Sequence, residues 1–211
     1  MINYTLKIEN LSKWFGNKII FYKVSGEWNK PGIYGVAGPN GSGKSTLVKI
    51  VAGLNSQSAG KLEHIVDNSP VEPELWHNLT GFASPYIVLY DEFSALENIE
   101  FIFKIRGVKA NYELANELLS HFSLYHRRKD PVKAYSSGMK QRLKIIAAVM
   151  HSPPLIILDE PTANLDNEGK DRVYEVVEKL SNDTIIFLAT NEKHEIQMCE
   201  KTINILEHKR D

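Results

Sequence analysis

A glycine-rich loop between a short apolar run and a helical pattern is the feature that most constrains the fold of this chain. Residues 38–46 read Gly-Pro-Asn-Gly-Ser-Gly-Lys-Ser-Thr, which matches the pattern GxxxxGK[ST], between an apolar run at 33–36 and a helix-like segment at 46–52. Glycines let backbone amides surround an anion because no Cβ intervenes, and the helix start adds partial positive charge. This order predicts an α/β fold with a phosphate site.

The same loop gives individual side chains their expected roles. Lys44 is expected to reach the β and γ phosphates of a nucleotide, and the hydroxyl of Ser45 is expected to bind Mg²⁺. The alternative is a glycine turn that holds no ligand. The expected phosphate site comprises Gly38, Pro39, Asn40, Gly41, Ser42, Gly43, Lys44, Ser45 and Thr46.

Two acidic residues follow a second apolar run. Residues 155–158, Leu-Ile-Ile-Leu, predict a buried strand that delivers Asp159 to the carboxyl edge of a sheet, where it can face Ser45 across a Mg²⁺ site. Glu160 follows where the chain turns, and it is the candidate general base for an attacking water. The alternative is an acidic strand end that only faces solvent.

The pattern of apolar and polar residues along the chain predicts an α/β architecture with an antiparallel region at its N-terminus. Tyr4, Leu6 and Ile8 alternate as on one face of a strand, and residues 19–22 and 24–28 predict two more strands. We therefore expect an antiparallel region within the first thirty residues.

The remainder of the chain shows apolar runs separated by helical patterns. The runs at 33–36, 155–158 and 185–188 predict strands of a mainly parallel sheet that is covered on both faces. A helix over residues 167–180 carries an apolar stripe that should cover this sheet.

A segment without strong strand patterns separates the two halves of this core. Residues 92–135 contain helical runs at 95–106 and 112–122. We interpret this segment as an inserted helical lobe.

The composition of the chain limits the classes of binding partner that we expect and indicates its location. The 211 residues fit a single domain, and 25 basic against 26 acidic side chains give a formal net charge of -1. Such a balance predicts no nucleic-acid partner. No run approaches the roughly 18 apolar residues that a bilayer crossing needs, so we expect a cytoplasmic protein.

A further motif lies at residues 135–142, which read Tyr-Ser-Ser-Gly-Met-Lys-Gln-Arg. Together with the glycine-rich loop and the acidic pair, this motif resembles those of the nucleotide-binding domains of ATP-binding cassette (ABC) proteins. The resemblance covers nearly the whole chain. Residues 135–142 resemble the family signature LSGGQ with Ser137 in place of its first glycine and Met139 in place of its glutamine. Ser136 can still donate a hydroxyl, and Gly138 allows close backbone approach to an anion. The alternative is a capped helix start with no ligand.

Other positions are assigned by the resemblance. Phe15 lies where the family stacks an aromatic ring on adenine, although the neighbouring Trp14 could serve, or both could belong to the core. The resemblance also divides the chain into an antiparallel region (1–30 and about 60–75), a nucleotide-binding core (31–59, 76–91 and 136–211) and the helical lobe (92–135).

Two positions depart from the family pattern. The glutamine of the family's Q-loop falls on Pro85, so its role is lost, passes to Ser84 or is left to bulk water. The family's switch histidine falls on Asn191, which can donate a hydrogen bond to a γ phosphate but cannot carry positive charge. We therefore expect slow turnover of ATP, with Glu160, Lys44 and Asn191 as the catalytic residues.

The resemblance implies a function for the whole set. It implies that ATP and Mg²⁺ bind, and that a second cassette subunit completes each site in a head-to-tail dimer, because Ser136 and Gly138 of one subunit close over the nucleotide of the other. It also implies a separate transmembrane permease at the cytoplasmic face of a membrane, with export favoured by the form of the signature. The alternative is a regulatory or non-transport ABC ATPase with weak turnover.

Overall fold

A computed structural model of the protein describes residues 3–209. Over these residues the chain forms two sheets and a set of helices. The strands are β1 (Tyr4–Phe15), β2 (Lys18–Trp28), β3 (Gly32–Ala37), β4 (Ala59–Val66), β5 (Ser69–Val71), β6 (Thr80–Ala83), β7 (Leu155–Asp159), β8 (Ile185–Thr190) and β9 (Lys201–Asn204). The α-helices are α1 (Lys44–Val51), α2 (Trp76–Leu79), α3 (Ala95–Arg106), α4 (Tyr112–His121), α5 (Ser137–Val149), α6 (Asn167–Leu180) and α7 (Lys193–Gln197).

The first sheet is antiparallel, with strand order β2-β1-β4-β5. Leu6 of β1 pairs with Trp28 of β2 on one side and with His64 of β4 on the other. Tyr4, Leu6 and Ile8 are all buried, which confirms the predicted alternation of β1.

The strand β2 corrects a sequence-based boundary. Residues 19–22 and 24–28 were expected to form two strands, but they form one continuous strand with shifts in its register against β1. Lys23 has a φ of 55°, and its backbone N–H donates a 2.9 Å hydrogen bond to the hydroxyl of Ser12. This hydrogen bond stabilises the irregular backbone at Lys23, so the strand continues through the point where the apolar pattern of the sequence is interrupted.

The second sheet is parallel, with strand order β6-β7-β8-β3-β9. The strands β3, β7 and β8 lie at its centre and are almost entirely buried, as their apolar runs predict. The helix α6 spans the predicted 167–180, and its Val173, Val176 and Val177 are buried.

The edge strands β6 and β9 are additional to the three strands expected from the sequence. β6 is only four residues long and contains Gly81. A Cβ at Gly81 would lie 1.9 Å from the carbonyl oxygen of Ala148, so only glycine permits the close approach of α5 to this strand. The steric requirement for glycine at position 81 arises from the packing of α5 on β6, so the local sequence does not reveal it.

The segment between β6 and β7 is helical, as predicted. The helix α3 begins at a capping box in which the hydroxyl of Ser94 accepts from the N–H of Glu97 and the carboxylate of Glu97 accepts from the N–H of Ser94. It ends at Gly107, whose φ is 62°. α4 begins at Asn111, whose side chain accepts from the N–H of Leu114.

These elements confirm the α/β class with a mainly parallel sheet, an N-terminal antiparallel sheet and an inserted helical segment. One apolar cluster, which includes Leu6, Phe21 and Leu47, joins the antiparallel sheet, α1 and one face of the parallel sheet. A second cluster, which includes Ile99 and Leu143, joins the helical segment to the opposite face. The carboxyl edge of the parallel sheet is thereby held between both regions.

Candidate functional site

The glycine-rich loop runs from the carboxyl end of β3 directly into α1. Gly38, Gly41 and Gly43 have φ values of 153°, 75° and 112°, which L side chains rarely adopt. A Cβ at Gly43 would also lie 2.6 Å from Cγ2 of Ile20. The tight loop therefore requires its glycines, and it leads into the helix start as the pattern predicts.

Lys44 is buried at the first position of α1, and its ammonium folds back over the loop. Its Nζ donates hydrogen bonds to the carbonyl oxygens of Gly38 at 2.8 Å and Pro39 at 3.2 Å. Within residues 3–209 it forms no ion pair, so its charge is free to meet an anion that enters the loop.

The loop borders a cavity of 330 Å³ at the start of α1. Glycine amides, the Ser45 hydroxyl and the Glu160 carboxyl surround a space suited to a charged, oxygen-rich ligand. Its lining comprises Ile20, Asn40, Gly41, Gly43, Lys44, Ser45, Thr46, Tyr86 and Glu160.

Asp159 lies at the end of β7 and is completely buried beside this loop. Its Oδ1 accepts a hydrogen bond from the hydroxyl of Ser45 at 3.0 Å, and its Oδ2 accepts one from the hydroxyl of Ser84 at 3.3 Å. Burial raises the pKa of Asp159, while the hydroxyls of Ser45 and Ser84 oppose that rise. The predicted pair of Ser45 and Asp159 is therefore brought together.

The donor set of this pair fits magnesium. A hydroxyl and a carboxylate are hard oxygen ligands, and Mg²⁺ is commonly held by one or two such protein groups together with phosphate oxygens. Within the described part of the chain there is no cluster of three or more His, Cys, Asp or Glu side chains that could hold a metal ion. Ser45 and Asp159 would hold Mg²⁺ only together with a phosphate ligand.

Ser84 occupies the place next to Pro85, where the family's glutamine is missing. Its side chain is completely buried. Its Oγ donates to Oδ2 of Asp159 at 3.3 Å and accepts from the N–H of Tyr86 at 3.4 Å. The carbonyl oxygen of Pro85 accepts a 2.5 Å hydrogen bond from Nζ of Lys144. Of the three alternatives for the glutamine's role, Ser84 has a contact with Asp159, and its part in holding Mg²⁺ stays a prediction.

Glu160 lies at a sharp turn after β7. Its φ is 49°, and its N–H donates a 2.8 Å hydrogen bond to the carbonyl oxygen of Ala189. Gln141 fixes the next peptide groups, because its Nε2 donates to the carbonyl oxygen of Pro161 at 3.1 Å. The backbone around Glu160 is thus held by β8 and α5, and the residue borders the cavity of the loop.

Asn191 lies with Glu160 at a second, adjacent cavity of 190 Å³. Its side chain is exposed at the end of β8. Because Glu160 borders both cavities, it stands between the glycine-rich loop and Asn191. Other lining residues are Thr162, Ala163, Asn164, Leu165, Lys170, Thr190, Glu192 and Glu195.

Ser136 and Gly138 are not among the residues that border either cavity. Ser136 caps α5, where its exposed side chain accepts a 3.2 Å hydrogen bond from the N–H of Met139. A Cβ at Gly138 would lie 3.1 Å from the carbonyl oxygen of Asn164. The signature segment therefore packs on the loop before α6, and neither Ser136 nor Gly138 borders the cavity of the glycine-rich loop of its own chain.

Phe15 and Trp14 both lie at the surface. Phe15 is 55% exposed and Trp14 is 40% exposed, so neither belongs to the core. Nζ of Lys13 lies 4.7 Å from the centroid of the Phe15 ring. Neither aromatic borders the cavity of the glycine-rich loop, and the choice between them as the adenine platform stays a prediction.

Sequence reasoning missed the buried acid of this region. Glu195 is 1% exposed, and its Oε1 accepts a 2.6 Å hydrogen bond from the hydroxyl of Thr162. Burial raises its pKa. An isolated glutamate in a polar stretch has no periodic pattern, and only its spacing of four residues after Asn191, at a strand end, could have drawn attention to it.

Comparisons with known proteins agree with this arrangement. A family model described as "ABC transporter" matches residues 21–163. The linearmycin resistance ATP-binding protein LnrL of Bacillus subtilis is 31% identical over 191 residues, which cover 88% of this chain and 60% of that protein. The bacitracin transport ATP-binding protein BcrA of Enterococcus faecalis is 31% identical over 210 residues, which cover 98% of this chain and 67% of that protein. The chain thus spans three fifths to two thirds of these relatives.

The fold also has a solved counterpart. A dimeric ATP-binding cassette in a post-hydrolysis state, bound to ADP and Pi, superimposes with a TM-score of 0.81 at 26% identity, over 94% of this chain and 93% of that one. Among residues 3–209, no helix has the length and apolar character needed to cross a bilayer. Because the family model covers more than half of the sequence and both relatives exceed 30% identity, the chain belongs to the ABC transporter family.

Proposed function

We propose that the protein is the ATP-binding subunit of an ABC transporter and that it binds and hydrolyses MgATP. The observation that carries this proposal is the contact of Ser45 with Asp159 at 3.0 Å, with Glu160 beside the same cavity. A phosphate loop, a metal pair and an adjacent carboxylate are the parts that phosphoryl transfer to water requires.

Nucleotide binding would use the charge of Lys44. Its ammonium is held by the carbonyl oxygens of Gly38 and Pro39, and phosphate oxygens would compete for it as stronger, charged acceptors. The loop amides and the start of α1 would bind the remaining phosphate oxygens. Ser45 and Asp159 would hold Mg²⁺, which neutralises charge on the phosphates when it is bound.

Hydrolysis would use Glu160 as the general base. Glu160 borders the cavity of the loop, and we propose that its carboxylate accepts the proton of a water that attacks the terminal phosphate. Asn191 would donate a hydrogen bond to the same phosphate from the adjacent cavity. Because Asn191 adds no positive charge and Pro85 supplies no amide, we expect the chemical step to be slow.

A second cassette would complete each site. Ser136 and Gly138 do not border the nucleotide cavity of their own chain, although Ser136 is exposed at a helix start that suits an anion. The solved dimeric relative at 26% identity supports an assembly of two cassettes. We therefore propose a head-to-tail dimer in which Ser136 and Gly138 of one subunit face the phosphates held by the other.

A transmembrane subunit would dock in a groove beside the helical lobe. The groove, of 290 Å³, is bordered by apolar side chains of α3 and of the segment after β6, and Val88 and Ile105 are 87% and 66% exposed. Apolar surface of this kind marks an interaction site. The N–H of Ile87 donates to the carbonyl oxygen of Ser84, which connects the groove to the Asp159 contact.

The named relatives guide the direction of transport. Their names refer to bacitracin transport and to linearmycin resistance, which support export by a membrane complex. We propose that the protein acts at the cytoplasmic face of a membrane, bound through its permease. The family's regulatory, weakly hydrolysing form remains the second candidate because of Pro85 and Asn191.

The experiment compares single-turnover hydrolysis by the wild-type protein and Glu160→Gln, each bound to its membrane partner. General-base removal should slow hydrolysis by about 100- to 10,000-fold while the affinity for ATP stays within about threefold. The exposed Glu178→Gln on α6 is the matched control and should hydrolyse like the wild type. Equal rates in wild type and Glu160→Gln would contradict the proposed chemistry, and ATP binding without wild-type hydrolysis would favour the regulatory form.

A further inference from the structure

A buried carboxyl group lies beneath the two loops that carry Glu160 and Asn191. Glu195, on α7, is 1% exposed and borders the cavity that both of those residues share. Its Oε1 accepts a 2.6 Å hydrogen bond from the hydroxyl of Thr162. No step of the proposed hydrolysis uses Glu195 directly, so its burial needs another explanation.

Glu195 lies among sequence neighbours of the two site residues. Thr162 follows Glu160 by two positions, and Thr190 immediately precedes Asn191. Both threonines are buried and, like Glu195, border the cavity that Glu160 and Asn191 share. The hydroxyl of Thr162 donates to Oε1 of Glu195, whereas the hydroxyl oxygen of Thr190 accepts from the N–H of Glu192 at 2.9 Å.

The element that carries Glu195 is itself anchored. The thiol of Cys199 donates to the carbonyl oxygen of Glu195 at 3.1 Å, and the N–H of Glu200 donates to the carbonyl oxygen of Ile33 in β3 at 2.8 Å. β3 leads into the glycine-rich loop. Glu195 therefore connects the ends of β7 and β8 from a segment that is also tied to the strand before the phosphate loop.

We infer that Glu195 is a positioning residue, which fixes the loop of Glu160 relative to the loop of Asn191 through its hydrogen bond to Thr162 and its place on α7, the helix that follows Asn191. This inference rests on the proposed function of those two residues. Glu195 does not touch the nucleotide in this account, and its contribution is the relative placement of the base and the phosphate donor. Misplacement of such groups by about 1 Å can lower a rate on the order of 100-fold.

The test compares Glu195→Ala with Glu195→Gln in the full-length chain bound to its membrane partner. Removal of the carboxyl should lower kcat by about 10- to 100-fold, while the dissociation constant for a fluorescent ATP analogue stays within about threefold. Glutamine keeps an acceptor oxygen for Thr162 and should restore kcat to within about threefold of wild type. The exposed Glu178→Ala on α6 is the matched control for loss of one acid.

Hydrogen exchange supplies a readout that does not depend on hydrolysis. In Glu195→Ala, the amides of Glu160, Thr162 and Ala163 and of residues 190–192 should all exchange faster, because the hydrogen bond that ties the loop of Glu160 to the helix after Asn191 is lost. Unchanged exchange in either loop, an unchanged kcat in an active protein, or equal loss in Glu195→Gln would overturn the inference. Absence of wild-type hydrolysis would count against the proposed function instead, and the exchange result would still decide the role of Glu195.

Discussion

The hydroxyl of Ser45 donates to Oδ1 of Asp159 across 3.0 Å, although 114 positions separate the two residues in the chain. The contact joins the first turn of α1 to the carboxyl end of β7, which are the two elements expected to hold Mg²⁺. Ser84 occupies the other carboxylate oxygen of Asp159. The geometry therefore gives the Asp159 carboxylate two hydroxyl partners, and we propose that Ser84 takes the place of the usual glutamine.

The first prediction concerns Ser84. Replacement by alanine removes the hydrogen bond to Oδ2 of Asp159, and loss of a hydrogen bond to a metal-binding side chain commonly costs about 10- to 100-fold in metal affinity. We expect Ser84→Ala to raise the Mg²⁺ concentration needed for half-maximal ATP binding by about tenfold. Titration of Mg²⁺ against a fluorescent ATP analogue measures this shift. Ser120→Ala, an exposed serine on α4, is the control, and an unchanged Mg²⁺ requirement in Ser84→Ala would count against this role.

The second prediction concerns Asn191. A histidine at this position can carry positive charge toward the terminal phosphate, which asparagine cannot, and one preorganised donor is worth roughly 100- to 1,000-fold in rate. We expect Asn191→His to raise kcat by at least about tenfold with little change in ATP affinity. Steady-state hydrolysis with the membrane partner is the measurement. Asn182→His, at an exposed site after α6, controls for the added imidazole, and a kcat at or below that of wild type would refute the explanation of slow turnover.

The sequence predicted best those features that depend on a few neighbouring residues. These features are the glycine-rich loop with Lys44, the apolar strand before Asp159 and the helix α6 with its apolar stripe. The bounds of α3 and α6 agree with the helical patterns for the same reason.

Tertiary contacts explain what the sequence did not show. The strand β2 is continuous because Ser12, on another strand, holds the irregular backbone at Lys23. β6 is too short for a pattern, and its Gly81 is explained only by the approach of α5. Glu195 is buried and bonded to Thr162, which lies 33 positions earlier on a separate loop, and no spacing along the chain reveals this contact.

The third prediction concerns acid stability and His64. This side chain is completely buried between Tyr4 and the carbonyl oxygen of Val51, and burial lowers its pKa from 6.5 to about 4. The unfolded chain binds the proton more readily, so the stabilisation is complete above about pH 6.5 and is lost as the pH falls toward about 4. The full loss amounts to roughly 3 kcal/mol.

Urea unfolding between pH 7.5 and 4.5 measures this effect. His64→Gln should be less stable than wild type at pH 7.5, because it disturbs the hydrogen bonds to Tyr4 and Val51, yet its stability should fall less steeply below about pH 6.5. The exposed His126→Gln is the control. Parallel pH profiles for wild type and His64→Gln would show that His64 does not contribute.

The fourth prediction concerns the groove beside the helical lobe. Val88 is 87% exposed in a groove with a mainly apolar lining, so a charge there would have to be buried on docking. We expect Val88→Asp to reduce co-purification with the membrane subunit by at least about tenfold while ATP binding is unchanged. Leu206→Asp, at an apolar side chain exposed on another surface, is the control. Full recovery of the complex with Val88→Asp would place the permease elsewhere.

The binding of MgATP by the loop that ends at Lys44 is tested most directly by isothermal titration calorimetry. Wild-type protein should give a saturable heat with MgATP, whereas Lys44→Ala should bind about 10- to 200-fold more weakly, because hydrogen bonds to charged groups contribute about 1.5 to 3 kcal/mol. The exposed Lys30→Ala controls for the loss of one positive charge. Wild-type protein that gives no heat of binding, or Lys44→Ala that binds as tightly as wild type, would contradict the account.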